Sequence, residues 1–290
     1  MSWYKSIPYI AILRPKQWTK NLLVFAALIF SIKIVTVQML IDCIAGFILF
    51  CLVSGCVYVL NDYIDRDADR NHPEKCYRPI ASGQLKPLRA LIFGCLLLFC
   101  SLVLAWFLDS WFSLLLLGYF IINIAYSLKL KNIVIVDIMV IAFGFVLRAI
   151  GGGLVIGIAF TPWFLICTML LALFLAISKR RHELYSLSEN KGEFRKVLDQ
   201  YSPELLNQLN SIVTTAAIIS YSLFTFTSGH TIHLMWTIPL VMYGIFRYLY
   251  LIHMQGKGGR PEEVLLEDHH ILVTVLLFAV MVVIILYCFE

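Results

Sequence analysis

The sequence predicts an all-α, polytopic membrane protein: about nine transmembrane helices forming a single domain over residues 1–290. Three observations carry this. Hydrophobic residues make up 60% of the chain, only 14% is charged, and mean hydropathy is +0.85, whereas roughly a quarter of a soluble domain is charged. The apolar residues come in runs of about twenty, the length a helix needs to cross ~30 Å of hydrocarbon. Cations cluster in alternate loops, as positive-inside bias requires. Short alternating segments typical of barrel strands are absent, and a helix in lipid satisfies its own backbone groups.

Spans are predicted near 21–40, 42–60, 91–108, 111–128, 134–157, 162–178, 209–228, 232–252 and 270–289. The first two are the least distinct, because Lys33 interrupts the apolar run. Lys5, Arg14, Lys16 and Lys20 precede a run too long for a signal-peptide core, so no cleavable leader is expected. No polar stretch is long enough for an appended soluble domain. Of the eight cysteines, Cys43, Cys51, Cys56, Cys95, Cys100, Cys167 and Cys288 lie in apolar spans without a CxxC pair. They read as small core residues rather than disulfides. Cys76 falls in a loop assigned to the cytoplasm, where thiols stay reduced.

Orientation follows from charge. Residues 1–20 and the stretches 61–90, 129–133, 179–208 and 253–269 hold 20 of the 23 Lys and Arg residues; the rest are Lys33, Arg148 and Arg247. This predicts a plasma (inner) membrane protein with a cytoplasmic N-terminus, an external C-terminus and its polar site on the cytoplasmic side. Topology accounts for most of the net charge of +5. No nucleic acid is called for; anionic substrates or lipids would use the remainder.

The strongest motif is Asn61-Asp62-Tyr63-Ile64-Asp65-Arg66-Asp67-Ala68-Asp69. If the second helix continues through it, Asn61, Asp62, Asp65 and Asp69 share one face, and Asp67 points away. Such a face repels itself unless a cation joins it. Hard oxygen ligands suit Mg²⁺, which keeps waters and binds substrate phosphates as well. The plain alternative is a solvated acidic helix end. Arg78-Pro79-Ile80-Ala81-Ser82-Gly83 follows, and its cation could hold a phosphate oxygen near the metal; a positive-inside turn explains it equally. Arg14-Pro15-Lys16-Gln17-Trp18-Thr19-Lys20-Asn21 combines polar donors with Trp18, an expected interfacial aromatic.

Tyr126-Ser127-Leu128-Lys129-Leu130-Lys131 sits at the cytoplasmic ends of two spans, with Asp137 just beyond. Arg148 lies eleven residues after Asp137, ~16 Å deeper on nearly the same helix face. A charge at that depth costs ~2.5–3.5 kcal/mol on insertion scales and needs a cavity or a partner. A side chain reaching toward a phosphate or toward Asp137 is therefore expected. Gly153 and Gly157 have the small-xxx-small spacing of close helix packing. Ser178-Lys179-Arg180-Arg181-His182-Glu183 ends the sixth span. Its cations suit either a helix C-terminus or an anionic lipid head. Gly256 to Val264 reads as a flexible loop before a helix start. Walker, GxSxG, HExxH and dinucleotide signatures are absent.

Taken together, nine spans and Asn61-x-x-x-Asp65-x-x-x-Asp69 after the second resemble the UbiA-type membrane prenyltransferases. Within that superfamily the chain is most similar to the decaprenyl-phosphate phosphoribosyltransferases. The stretches that carry this are Arg14–Val24, Asn61–Gly83, Tyr126–Asp137, Gly144–Gly153, Ser178–Leu184 and Pro261–Asp268. The resemblance implies a ring of helices around a lipid-accessible cavity. It implies Mg²⁺-dependent transfer of 5-phosphoribose from phosphoribosyl diphosphate to a polyprenyl phosphate, with release of diphosphate. Asn61, Asp62, Asp65 and Asp69 would hold the metal, with Asp62, Asp65, Asp69 and Arg78 catalytic. Gln17, Lys20, Arg66, Arg78, Tyr126, Lys131 and Arg148 would bind the donor. Other superfamily members carry a second aspartate-rich motif after the sixth span; here Lys179, Arg180, Arg181 and Glu183 stand there. That substitution suits an acceptor monophosphate held directly by cations.

Two other readings stay open on the sequence. One is an ordinary prenyltransferase moving a prenyl group from its diphosphate to an aromatic acceptor. The other is a non-catalytic transporter or lipid-binding protein, which intramembrane Arg148 would also suit. Prenyl chain length and association into a homo-oligomer are not legible.

Overall fold

The computed structural model describes residues 7–31, 35–71, 75–189, 196–256, 264 and 267–289. Lys5, Lys33, Lys191, Arg195, Lys257, Arg260 and most of the expected loop before Val264 lie outside the described residues. The described residues are mainly helical: α1 (Pro8–Ala11), α2 (Ala26–Phe30), α3 (Val37–Ile64), α4 (Arg66–Arg70), α5 (Pro87–Leu108), α6 (Ser110–Leu128), α7 (Val136–Ile156), α8 (Pro162–Glu189), α9 (Pro203–Thr227), α10 (Ile238–Gln255) and α11 (His269–Phe289). Short 3₁₀ turns join several of them. Local chemistry sets the ends. Thr36, Asp109 and Ser202 accept hydrogen bonds from the third residue beyond each, and Pro87 and Pro203 stand at first-turn positions. Gly157 and Gly256 close α7 and α10 with left-handed φ of 69° and 63°.

Eight helices among the described residues are long and apolar enough to cross a membrane. The expected first span, 21–40, is not one of them. It is an 11-residue 3₁₀ run, Pro15–Phe25, followed by the five-residue α2. It crosses nonetheless. Arg14 at one end pairs with Asp62 at the end of α3. Phe30 at the other packs on Phe164 at the start of α8 and Phe224 at the end of α9, with ring centroids 5.2 and 5.5 Å apart. The steeper rise explains the reach: eleven residues at ~2.0 Å and five at ~1.5 Å cover ~30 Å. So long a 3₁₀ run needs tertiary support, and α7 supplies it. A Cβ on Gly152 would lie 2.0 Å from the Val24 carbonyl oxygen, so only glycine admits this contact.

Gly152 therefore carries the close contact with the N-terminal crossing, while Gly153 lies against the turn after α7, where a Cβ would meet the Ile158 carbonyl oxygen at 2.4 Å. Gly157 is a helix terminator, with nothing within 4 Å of where its Cβ would be. Three spans also run further toward the charged face than hydropathy implied: α3 to Ile64, α8 to Glu189, and α9 from Pro203. Apolar runs end where ionisable residues begin, but backbone hydrogen bonding continues once those residues pair on the inner face.

Two apolar clusters bracket the polar residues. One joins α7, α8, α9 and α10 through Ile138, Phe174, Ile177, Leu206 and Leu251. The other joins the N-terminal crossing to α3, α6 and α7 through Val24, Phe50, Phe112, Leu116 and Tyr119. None of the eight cysteines, all among the described residues, is in a disulfide. Cys43, Cys51 and Cys56 are core residues as expected, but Cys95, Cys100 and Cys288 are exposed, on helix faces that otherwise present apolar side chains outward.

Candidate active site

The polar residues converge at one end of the bundle, where contacts tie the C-terminal ends of α3, α6, α8 and α10 to the starts of α7, α9 and α11. The acidic motif lies there. Helix α3 stops at Ile64, and Asp65 sits at the junction with α4. The ladder nevertheless continues: the Asp65 amide donates to the Asn61 carbonyl at 2.9 Å and the Asp69 amide to the Asp65 carbonyl at 2.8 Å. The expected face survives. Asp62 and Asp69 are buried at 1% and 2% exposure, whereas the Asp67 side chain is 71% exposed and, among the described residues, pairs with its neighbours Arg66 and Arg70.

Each inward carboxylate meets a cation. Asp62 pairs with Arg14. Arg78 spans two carboxylates, 2.5 Å from Asp69 and 3.2 Å from Asp62. Lys131 approaches Asp65 at 3.8 Å. Arg78, expected beside a phosphate, is thus held by the acidic motif in this arrangement. Arg66 donates to the Tyr63 carbonyl at 2.9 Å and stacks on the Tyr63 ring. Gln17 and Lys20 lie on the 3₁₀ run that follows Arg14. Trp18, expected at the interface, donates its indole N–H to the Leu13 carbonyl and packs on a small buried cluster.

Two oxygens of the motif, Asn61 Oδ1 and Asp62 Oδ2, are buried without a hydrogen-bond partner among the described residues. A buried orphan acceptor is costly, and a cation is one partner that such oxygens accept. No three Asp, Glu, His or Cys side chains among the described residues converge as a finished cage. Mg²⁺ does not require one, since it binds through one or two carboxylates completed by waters and substrate phosphate. The donor set fits such an ion.

The basic motif lies within α8 rather than beyond it, and its cations diverge. Arg180 is 1% exposed. Its Nε donates to Asp137 at 2.7 Å and Nη1 to Glu183 at 2.5 Å, and Tyr126 Oη lies 3.4 Å from Nη2. Asp137 also accepts from the Tyr201 hydroxyl at 2.7 Å. Burial, together with that bond, pushes the Tyr201 phenol well above its ordinary range, so it remains a donor. Arg180 therefore closes a buried ion-pair network instead of standing open to a phosphate. Arg181 turns the other way, donating to Asn207 at 2.7 Å and stacking on Tyr185.

Arg148 departs from expectation too. It does not reach Asp137. Its Nε donates to Asn21 Oδ1, Nη1 to the Gly144 carbonyl and Nη2 to the Tyr119 hydroxyl, each at 2.7 Å. Asn21 in turn donates to Ser54. The buried charge is satisfied between the N-terminal crossing, α6 and α7. Arg247 pairs with Asp268 at 2.8 Å, and this guanidinium holds the Asp268 carboxyl below the usual range. Sequence reasoning placed Arg14 and Asn21 in a donor-rich motif without giving either an individual role, and did not single out Tyr119 or Tyr201. Their partners are distant in sequence, and nothing in local spacing marks them.

Residues 22–265 match the UbiA prenyltransferase family. The chain belongs to that family. Among UbiA proteins, the decaprenyl-phosphate phosphoribosyltransferase of Mycolicibacterium smegmatis is 32% identical over 273 residues, 89% of this chain and 86% of the relative. The one of Corynebacterium glutamicum is 33% identical over 286 residues, 96% and 86%. The fold agrees with a UbiA homolog from Archaeoglobus fulgidus solved with GPP and Mg²⁺: TM-score 0.73, 21% identity, 97% of this chain and 99% of that one. The same homolog bound to DMAPP and Mg²⁺ gives a TM-score of 0.73 at 19% identity, with the same coverage. This UbiA protein is thus a multi-pass membrane transferase in architecture and family.

Proposed function

We propose that the protein transfers 5-phosphoribose from phosphoribosyl diphosphate to a polyprenyl phosphate, with Mg²⁺, at the cytoplasmic face of the plasma membrane. The observation that carries this is the pair of orphan oxygens on Asn61 and Asp62, set among carboxylates and arginines, in a chain about a third identical to proteins named for that reaction. The acidic motif takes the donor. Asn61, Asp62, Asp65 and Asp69 would hold Mg²⁺, which when bound neutralises the diphosphate leaving group. Arg78 and Lys20 would add positive charge where the leaving oxygen develops negative charge. Arg66, Gln17 and Lys131 border the same end of the bundle and would orient the phosphates.

The acceptor phosphate is already ionised, so the step needs no general base. One of its oxygens forms the bond to ribose C1 as the bond from C1 to the diphosphate oxygen breaks, and diphosphate departs with that electron pair. C1 gains oxocarbenium character on the way, as in glycosyl transfer generally. Lys179 would hold the acceptor phosphate, whereas Arg181 donates to Asn207 instead. Arg180, fixed by Asp137 and Glu183, would position that helix end. Confining both polyanions at one membrane face lowers the entropic barrier. The distribution of Lys and Arg supports a cytoplasmic N-terminus and site and an external C-terminus.

The test incubates purified protein in detergent with labelled phosphoribosyl diphosphate, Mg²⁺ and a panel of polyprenyl phosphates. Labelled lipid and free diphosphate are expected together. Consumption of a prenyl diphosphate with an aromatic acceptor, leaving phosphoribosyl diphosphate untouched, would overturn the reading.

A further inference from the structure

Ile135 has φ 69° and ψ −44°, a conformation that a β-branched residue rarely adopts. The Val136 amide donates to the Val134 carbonyl at 2.8 Å. Val134, Ile135 and Val136 therefore form a γ-turn with positive φ, the rare and strained form. Its central amide is held by a residue distant in sequence. Ile135 N–H donates to the Tyr201 hydroxyl at 2.8 Å, and that hydroxyl donates to Asp137 Oδ1 at 2.7 Å. One phenol thus fixes both the turn and the carboxylate two residues beyond it. Strain of this kind persists only where the surroundings over-determine it, and it gathers at functional sites.

Tyr201 is itself firmly seated. It follows the 3₁₀ turn Lys196–Gln200, in which Val197 and Leu198 are buried, and it precedes Ser202, which caps α9. The strained turn ends the short connection between α6 and α7. That connection carries Lys131, in the 3₁₀ turn Leu130–Asn132, to 3.8 Å from Asp65 in the acidic motif. The Ile133 amide donates to the Leu130 carbonyl and the Asp137 amide to the Ile133 carbonyl, each at 3.1 Å. The turn bearing Lys131, the strained turn and the start of α7 are therefore one hydrogen-bonded run.

We infer that Tyr201 is a positioning residue for the donor: its hydroxyl holds the connection so that Lys131 meets the donor's diphosphate beside Asp65. Without the hydroxyl, Ile135 relaxes to negative φ and Lys131 shifts with it. The inference rests on the proposed function only in asking that the acidic end take a Mg²⁺-bound diphosphate, a group that phosphoribosyl and prenyl donors share.

The test is titration calorimetry of the full chain in detergent with inorganic diphosphate at saturating Mg²⁺. Lys131→Met and Tyr201→Phe should each weaken binding at least about tenfold, the order of a hydrogen bond to a charged group. Combined, they should weaken it no more than about twofold beyond Lys131→Met alone, because effects routed through one contact do not multiply. A purely structural phenol would lower the melting temperature and leave the affinity of the folded protein unchanged. Ile135→Pro lacks the donated N–H and cannot hold a positive φ. It should match Tyr201→Phe, and it carries the test should that variant fail to fold. Wild-type affinity in Lys131→Met, Tyr201→Phe or Ile135→Pro overturns the inference, as do multiplying losses in the double variant or a wild-type chain that does not bind diphosphate. Coupled binding without phosphoribosyl transfer would keep the inference and remove the function proposed above; transfer by wild type with uncoupled variants would do the reverse.

Discussion

Arg180 and Asp137, 43 residues apart in sequence, form a buried ion pair at 2.7 Å in which the two side chains are 1% and 0% exposed. Removing one partner of such a pair leaves an uncompensated charge and costs about 3–5 kcal/mol, whereas replacing both with apolar residues can be near neutral. Arg180→Met should therefore lower the melting temperature sharply in detergent, and Arg180→Met with Asp137→Leu should recover much of the loss. If Arg180→Met kept the wild-type melting temperature and only raised the KM for polyprenyl phosphate, Arg180 would be a substrate ligand instead.

The acidic motif predicts a graded series. Asp65→Ala and Asp69→Ala should each reduce turnover by more than about a hundredfold, the scale of losing a group that stabilises developing charge, with little change in folding for Asp65. Asp67→Ala should stay within a few fold, since its side chain faces outward. Equal losses at Asp65 and Asp67, measured as initial rates at saturating Mg²⁺, would contradict the one-sided arrangement.

How much of this was legible in the sequence depended on range. Periodicity and charge are local quantities, so the crossings, their order and the inner face of Asn61, Asp62, Asp65 and Asp69 could be read directly. Pairing is not local. Arg148 sat on nearly the same face as Asp137, yet Asp137 is claimed by Arg180 and Tyr201. Arg148 is claimed by Asn21, on a segment whose 3₁₀ winding no apolar count distinguishes from an α-helix. The three consecutive cations read as one phosphate cradle, but successive residues on a helix point ~100° apart, and here Arg180 and Arg181 serve different neighbours.

The N-terminal crossing offers a sharp test of packing. Gly152→Ala would place a methyl group 2.0 Å from the Val24 carbonyl, backbone against backbone, which neither α7 nor the 3₁₀ run can relieve by changing a rotamer. A loss at or above the ~1–3 kcal/mol typical of overpacking is expected, read as reduced yield and melting temperature. Gly118→Ala, where a Cβ meets nothing within 4 Å, is the control and should be neutral. Equal behaviour of the two would mean that α7 and the N-terminal crossing are less closely apposed.

Topology can be checked independently of activity. If the eight long helices and the Pro15–Phe30 run all cross, the two termini are expected on opposite sides, and the excess of Lys and Arg at the motif end predicts a cytoplasmic location for that end. A reporter active only outside the cytoplasm should work when fused after Glu290 and fail when fused before Met1. The reverse pattern would invert the orientation, and activity at both ends would remove the N-terminal crossing.

Arg14 supplies the last prediction, because the donor-rich motif it opens gave it no individual role in the sequence. It sits in a left-handed conformation, φ 51°, immediately before Pro15, and that geometry aims its guanidinium at Asp62. Together with Arg78 it holds Asp62 Oδ1, which leaves Oδ2 as the buried acceptor without a partner. Arg14 would thus orient the Asp62 carboxylate rather than touch substrate. Arg14→Ala should let that carboxylate turn toward Arg78, raising the Mg²⁺ concentration for half-maximal rate by about tenfold, the factor that ~1.4 kcal/mol represents. The KM for polyprenyl phosphate should change far less, because the acceptor's expected ligands are on α8. Arg14→Lys should restore only part of the effect, since an ammonium lacks the planar fork that fixes the carboxylate's rotation. An unchanged Mg²⁺ dependence with a raised donor KM would instead make Arg14 a direct ligand of the diphosphate.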